Sequence, residues 1–167
     1  MRSRLVWIGL CALIFIFCRN GMTEVIDHVV AAVDDIAITE SELFEKYKSM
    51  LEINSQITLG KTLETMINRV LLIKDAKRFR MESKTDDELI DQYVDLKIRA
   101  MIKVTDKEIN DYYEKNKDNF EGKSLEMVSG EIVRYLTELK VNTRLKENLR
   151  FLRKKSNVIV NVQFSNE

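Results

Sequence analysis

Residue types able to do chemistry are few in this chain, and they are not grouped. His28 is the only histidine. It falls in a β-branched run, where it reads as a strand side chain with no chemical task. A metal site would need further ligands at ligand spacing, and the sequence shows none. Asp34-Asp35 and Asp86-Asp87 are the paired carboxylates. The first sits where a turn belongs and the second where a helix begins, so both are expected to be structural rather than acid–base pairs. Cys11 and Cys18 both lie in or beside the first apolar segment, and no cysteine follows Met22. Beyond that point there is no thiol nucleophile, disulfide framework or thiolate metal site. The five glycines form no phosphate-cradling loop. Arg150, Arg153, Lys154 and Lys155 read as the solvated end of a helix rather than a phosphate site. No catalytic constellation and no cofactor are expected.

Composition narrows the partners. Formal charge is zero over 167 residues, but residues 1–21 hold three arginines and no acid, leaving 24 basic and 27 acidic residues beyond them. A net charge of −3 offers no field for nucleic acid. Arg2 and Arg4 precede an uncharged 13-residue run, Leu5 to Phe17. This matches a signal peptide over residues 1–21 and is short for a membrane span, which needs about 20 residues. Cleaved export is the expectation, placing the protein in the periplasm. Lipid attachment at Cys18 or a retained membrane anchor are the alternatives. A cysteine-free mature part, residues 22–167, suits a compartment in which disulfides form.

The elements follow from periodicity and caps. Val25, Ile26, Val29, Val30, Val33, Ile36 and Ile38 frame Asp34-Asp35 and predict a β-hairpin. Three Thr–x–x–Glu boxes predict helix starts: Thr39 with Glu42, Thr85 with Glu88, and Thr105 with Glu108. The helices are expected over Glu40 to about Glu52, about Leu59 to Arg80, the Thr85 box to about Ile102, the Thr105 box to about Asn116, and about Ser124 to Lys154. The second carries the most apolar stripe, which includes Leu63, Ile67, Leu71 and Phe79, and belongs at the centre. In the last helix, the stripe Leu125, Val128, Ile132, Leu136, Leu139 continues through Leu145, Leu149 and Leu152 with a phase shift near Val141-Asn142. At about 1.5 Å per residue this helix spans roughly 45 Å, enough to run along a whole bundle or to wall a cleft. Val158 to Phe164 alternates like a strand. A lone hairpin is marginal, so this strand is expected to pair with it, its residues Val158, Val160 and Val162 facing inward. The fold class is therefore mainly α: a helical bundle with a small antiparallel sheet formed by the N-terminal hairpin and the C-terminal strand, in one domain. The absence of proline, against roughly 8 expected at average usage, permits long straight helices.

Two stretches carry a resemblance. VIDHVVAAVDDIAITESEL, residues 25–43, is similar to the opening of mature SurA-type periplasmic chaperones, and VTDKEINDYYEKNKDNF, residues 104–120, resembles a segment shared by that family and PrsA-type foldases. With the closing helix and strand the resemblance covers about Val25 to Phe164. It implies the helical chaperone module of SurA and the trigger-factor peptide-binding domain. Members of these families carry a parvulin-type prolyl isomerase after the second stretch. Here only Glu121-Gly122-Lys123 stands before the closing helix, so the isomerase is expected to be absent and the chain not to be an enzyme.

The resemblance implies a holdase that binds unfolded or partly folded exported or outer-membrane proteins without ATP. The alternative is a structural or assembly subunit that docks one dedicated periplasmic partner. Client binding needs adaptable apolar surface, which Met and Tyr supply well. The groove candidates are Phe44, Tyr47, Met50, Met101, Tyr112, Tyr113 and Phe120. The leader reading makes its own prediction: Edman sequencing of the protein purified from its host should give an N-terminus between Arg19 and Val25. An intact Met1 on a cytoplasmic protein would overturn it.

Overall fold

A computed structural model describes residues 27–162; the predicted signal peptide, the first strand residues Val25-Ile26, and Gln163-Phe164 lie outside the described residues. The hairpin is present as β1 (Val29–Val33) and β2 (Ile36–Thr39). Its two-residue turn needs a positive φ, and without glycine that role falls to Asp34 (φ 54°). The Asp34 and Asp35 carboxylates both accept from the Lys74 ammonium, each at 2.8 Å. The pair is thus a turn tied to a helix. His28 is exposed, and its carbonyl accepts from the Glu40 N–H at 2.8 Å.

Five helices follow: α1 (Glu40–Ile53), α2 (Leu59–Arg78), α3 (Asp86–Lys97), α4 (Asp106–Lys115) and α5 (Leu125–Lys155). Short 3₁₀ turns, Arg99–Met101 and Lys117–Phe120, precede and follow α4. The capping boxes at Thr39 and Thr105 form in both directions. At Thr85 only half forms: its hydroxyl accepts from the Glu88 N–H, while the Glu88 carboxylate turns to the Ser83 hydroxyl at 2.7 Å and the Lys84 N–H at 3.2 Å. A fourth cap, Thr58 accepting from the Lys61 N–H, starts α2. The chain then closes with β3 (Val158–Val160), antiparallel to β1, giving the strand order β2-β1-β3. The expected architecture holds: a helical bundle with a small three-stranded sheet.

Several expected boundaries and burials move. The second helix stops at Arg78; Arg80 takes a left-handed conformation (φ 57°), and Phe79 lies half exposed beneath the Lys97 ammonium, 3.2 Å from its ring centre, rather than in the buried stripe. The third helix ends at Lys97, where Ile98 breaks out to bury itself and Arg99 pairs with Asp95 and Glu138. At the sheet edge Val158 and Val162 pack against the core, but Val160 is 45% exposed, since β3 is the last strand of the sheet among the described residues.

The apolar interior has two parts. The larger joins the inner face of the sheet (Val30, Ala31, Val33, Ile38) to α2, α3 and the C-terminal half of α5. The smaller joins Val128, Ile132 and Leu136 of α5 to α4 and the turn after it. Thirteen residues separate Ile132 from Leu145, and at about 3.6 residues per turn this carries the buried stripe more than half-way round the helix. The phase shift in the sequence is therefore the point where α5 leaves one core and enters the other.

Where α5 enters the larger core, a polar chain crosses it. The Tyr93 hydroxyl donates to the Asp75 carboxylate at 2.8 Å and accepts from the Asn148 side-chain amide at 2.8 Å; Arg78 holds the other Asp75 oxygen at 3.0 Å. Burial, ahead of the neighbouring groups, pushes the Tyr93 hydroxyl up to about 12, so it remains a donor at any ordinary pH. The chain links α2, α3 and α5. Y93F keeps the ring but strands one oxygen of buried Asp75, and such a group costs about 1–3 kcal/mol. Urea unfolding of Y93F should show a loss of that order with an unchanged slope; a loss below about 0.5 kcal/mol would show the chain to be dispensable.

Candidate functional site

The smaller core is built by a short helix with one apolar side. Ile109, Tyr112 and Tyr113 of α4 lie on the α5 residues Val128, Ile132 and Leu136, and Phe120 closes the end. The reversal between them needs two consecutive left-handed residues, Glu121 (φ 50°) and Gly122 (φ 78°). The Tyr113 hydroxyl fastens it by donating to the Lys123 carbonyl at 2.7 Å. Phe120 stacks on Tyr113, with ring centres 5.4 Å apart, and meets Tyr112 edge-on at 6.4 Å. Tyr112 reaches Tyr135 of α5 at 5.1 Å, and Tyr135 is half exposed. Beside these rings lies a pocket of about 280 Å³ lined by Tyr112, Phe120, Ile132 and Tyr135, with Lys123 and Glu131 at its edge.

One turn further along α5 a second cleft opens. The seam of α5 that covers the smaller core continues through Leu139, but α4 begins only at Asp106 and does not reach it. The chain leading into α4 crosses there instead. Met101, Ile102, Leu139 and Thr143 form the cleft, with Lys103, Lys140, Arg144 and Glu147 around it, enclosing about 510 Å³. Met101 is 74% exposed and Leu139 50%, so the apolar floor is open to solvent. Tyr135 and Leu139 lie on adjacent turns of α5, which places the aromatic pocket and this cleft in one line along the helix.

Ion pairs hold the line in place. Lys140 donates to the Lys103 carbonyl at 2.7 Å and grips both oxygens of Glu108, at 2.6 and 2.8 Å. Arg99 grips both oxygens of Glu138 and is itself steadied by Asp95 at 2.9 Å. The hydrogen bond from Lys140, then those from the Thr105 N–H and hydroxyl, hold the Glu108 carboxyl down at about 2. Among the described residues no three His, Cys, Asp or Glu side chains are grouped to hold a metal ion. The site is suited to binding apolar groups, with cations at its rim.

Of the seven groove candidates, four come together here. Met101 lines the cleft, Tyr112 and Phe120 line the aromatic pocket, and Tyr113 backs Phe120. Phe44, Tyr47 and Met50 do not join them. They lie on α1, which packs on α2 and β2, and none lines either cavity. Helical spacing shows that they share a face, but not which neighbour that face meets. Ile102, Tyr135 and Leu139 complete the site and were not among the candidates. The signal for Leu139 was its place on the stripe that continues past the reach of α4.

A comparison with protein-family models gives no match, and neither does a comparison with curated proteins. Among the described residues no helix is long and apolar enough to cross a membrane.

The Glu108 clamp makes a measurable prediction. Its carboxyl is held below the ordinary value of 4.5, so the pairing favours the folded arrangement above about pH 4.5 and is lost as pH falls toward 2. Carboxyl-carbon NMR titration should give Glu108 a midpoint near 2, and K140M should move it up toward the ordinary value. A Glu108 that titrates normally in the unaltered protein would show that the clamp does not form.

Proposed function

We propose that this protein is a periplasmic holdase that receives unfolded segments of exported or outer-membrane proteins along the α5 face from Phe120 to Met101, without ATP and without isomerising proline. One observation carries the reading: an apolar floor of Met101, Ile102 and Leu139, left open to solvent, lies in line with the half-exposed ring of Tyr135 and the partly buried rings of Tyr112 and Phe120. An exposed apolar cleft of this kind marks a site for another apolar group. Met and Tyr side chains suit clients of varied shape, since one adapts and the other offers a flat apolar body with a polar tip. The residues at positions 25–43 and 104–120 that resemble SurA-type chaperones point the same way. At the rim Arg144 is taken up by Glu147, at 2.9 Å, so it is Lys103 that favours segments carrying an acidic residue beside the apolar one.

The test is suppression of aggregation of several unrelated unfolded polypeptides by the purified protein. Protection at near-stoichiometric ratio is expected for more than one client. Doubling the change with M101D and L139D should weaken protection at least fivefold while leaving the melting temperature within a few degrees, because both side chains are half exposed or more. The protein should not accelerate prolyl cis/trans exchange in a model peptide, which takes tens to hundreds of seconds uncatalysed. Protection confined to one stoichiometric partner, or unaffected by the double change, would overturn the holdase reading.

A further inference from the structure

No cysteine follows Met22, and the sole tryptophan is Trp7. The side chains most open to two-electron oxidation in the folded part are therefore thioethers. The methionines among the described residues are Met50, Met66, Met81, Met101 and Met127, and their settings differ. Met66 and Met81 are partly buried against the larger core, and Met50 is partly buried on α1. Met101 and Met127 are each 74% exposed. Met127 sits on the first turn of α5 and lines neither the cleft nor the aromatic pocket. Met101 alone joins free access to a place on the cleft floor, beside Ile102 and Leu139.

The backbone that carries Met101 is fastened on both sides. The Met101 N–H donates to the Ile98 carbonyl at 3.2 Å, and the Ile102 N–H donates to the Arg99 carbonyl at 3.0 Å. Ile98 is buried, and Arg99 is held by Asp95 and Glu138. The Met101 side chain itself packs into neither core. A change in its polarity therefore alters the surface of the cleft and leaves the packing beneath it intact.

We propose that Met101 is a modification site, at which oxidation by a peroxide reversibly withdraws the cleft from apolar ligands. The peroxide gives one oxygen atom to the Met101 sulfur. Its O–O bond breaks, an S–O bond forms, the sulfur loses two electrons, and the peroxide leaves as water or an alcohol. A reductase dithiol reverses the step: it removes the oxygen as water and becomes a disulfide. The sulfoxide puts a polar acceptor where an adaptable apolar group stood. On the floor of an open apolar cleft that change falls on the surface offered to a ligand. At Met127 the same chemistry is silent, since nothing is bound there. The consequence for clients rests on the holdase reading; the chemistry of the cleft does not.

The folded full chain is treated with hydrogen peroxide, and digestion with mass spectrometry follows each methionine. Met101 and Met127 should gain oxygen well ahead of Met66 and Met81. A Met101 that reacts no faster than Met66 overturns the proposal. The cleft is then probed with anilinonaphthalene sulfonate, an apolar dye whose anion suits the Lys103 rim. Oxidation should weaken dye binding at least about fivefold, while the melting temperature stays within a few degrees. M101L keeps an apolar side chain of similar volume. It should bind the dye before and after peroxide alike, whereas M127L should lose binding as the wild type does. Treatment with methionine sulfoxide reductases for both epimers should restore the wild type. Untreated protein that does not bind the dye overturns the proposal. So does equal binding after oxidation, a loss in M101L as large as in the wild type, or a melting temperature that falls as Met101 is oxidised. Dye affinity that stays low once the sulfoxides are gone overturns it as well. Client protection is measured on the same samples and should fall with Met101 oxidation in the wild type alone. Untreated protein that binds the dye but protects no client would sink the holdase reading and leave the oxidation of the cleft standing.

Discussion

A single helix has to serve two cores, and the rest of the molecule is arranged around that constraint. The N-terminal half of α5 buries Val128, Ile132 and Leu136 against α4, and its C-terminal half packs Leu145, Leu149 and Leu152 into the larger core. The change of face falls between Leu139 and Thr143: Val141 stays buried, while Leu139, on the other side of the helix, is left half exposed under the open cleft. The cleft thus arises where the apolar stripe drifts around one helix and the chain from Met101 to Lys103 crosses it.

Holding two cores in a fixed relation requires ties across the changeover, and the molecule supplies them as ion pairs. Arg99 with Glu138 and Lys140 with Glu108 both bridge α5 to the chain on either side of the cleft. Exposed pairs are individually weak, on the order of 0–1 kcal/mol. Their value here lies in direction: each is two-pronged, and together they fix the angle at which the short helix meets the long one. A further tie sits at the sheet end, where Lys74 holds both turn carboxylates and Asp34 in turn accepts from the Asn157 N–H at 2.7 Å. That contact joins the hairpin, the central helix and the end of α5 at a single side chain.

Much of the fold was legible because the residues that specify it act locally. The Thr39 and Thr105 boxes fix helix starts through bonds three residues long, and β-branched alternation marks the strands at both ends. The drift of the stripe in α5 was legible as a phase shift, although its meaning depended on which helices lie on each side. What stayed hidden depends on distant partners. Asp75 reads as one more acid on a helix until Tyr93, 18 residues on, and Arg78 are brought to it. Phe79 fits the periodicity of α2 but falls past its last turn. Phe44, Tyr47 and Met50 satisfy the same spacing rule as Tyr112 and Tyr113, and only packing separates them. Met101 was a candidate and Leu139 lay on a legible stripe, but that the two meet in one cleft depends on the path of Met101 to Lys103.

The order of the strands has a consequence in time. β1 sits in the middle of the sheet, yet one of its neighbours is the adjoining hairpin arm and the other arrives at the far end of the chain, with Asp34 and Asn157 123 residues apart. Closing a loop of that length costs roughly 4 kcal/mol in chain entropy before any contact repays it. The helices, whose bonds are local, can form while the chain is still emerging from wherever it is made or threaded. The third strand cannot. Until it docks, the middle strand has an open side and the valine row of the core is wet, so the half-finished molecule is for a while an unfolded chain with exposed apolar surface.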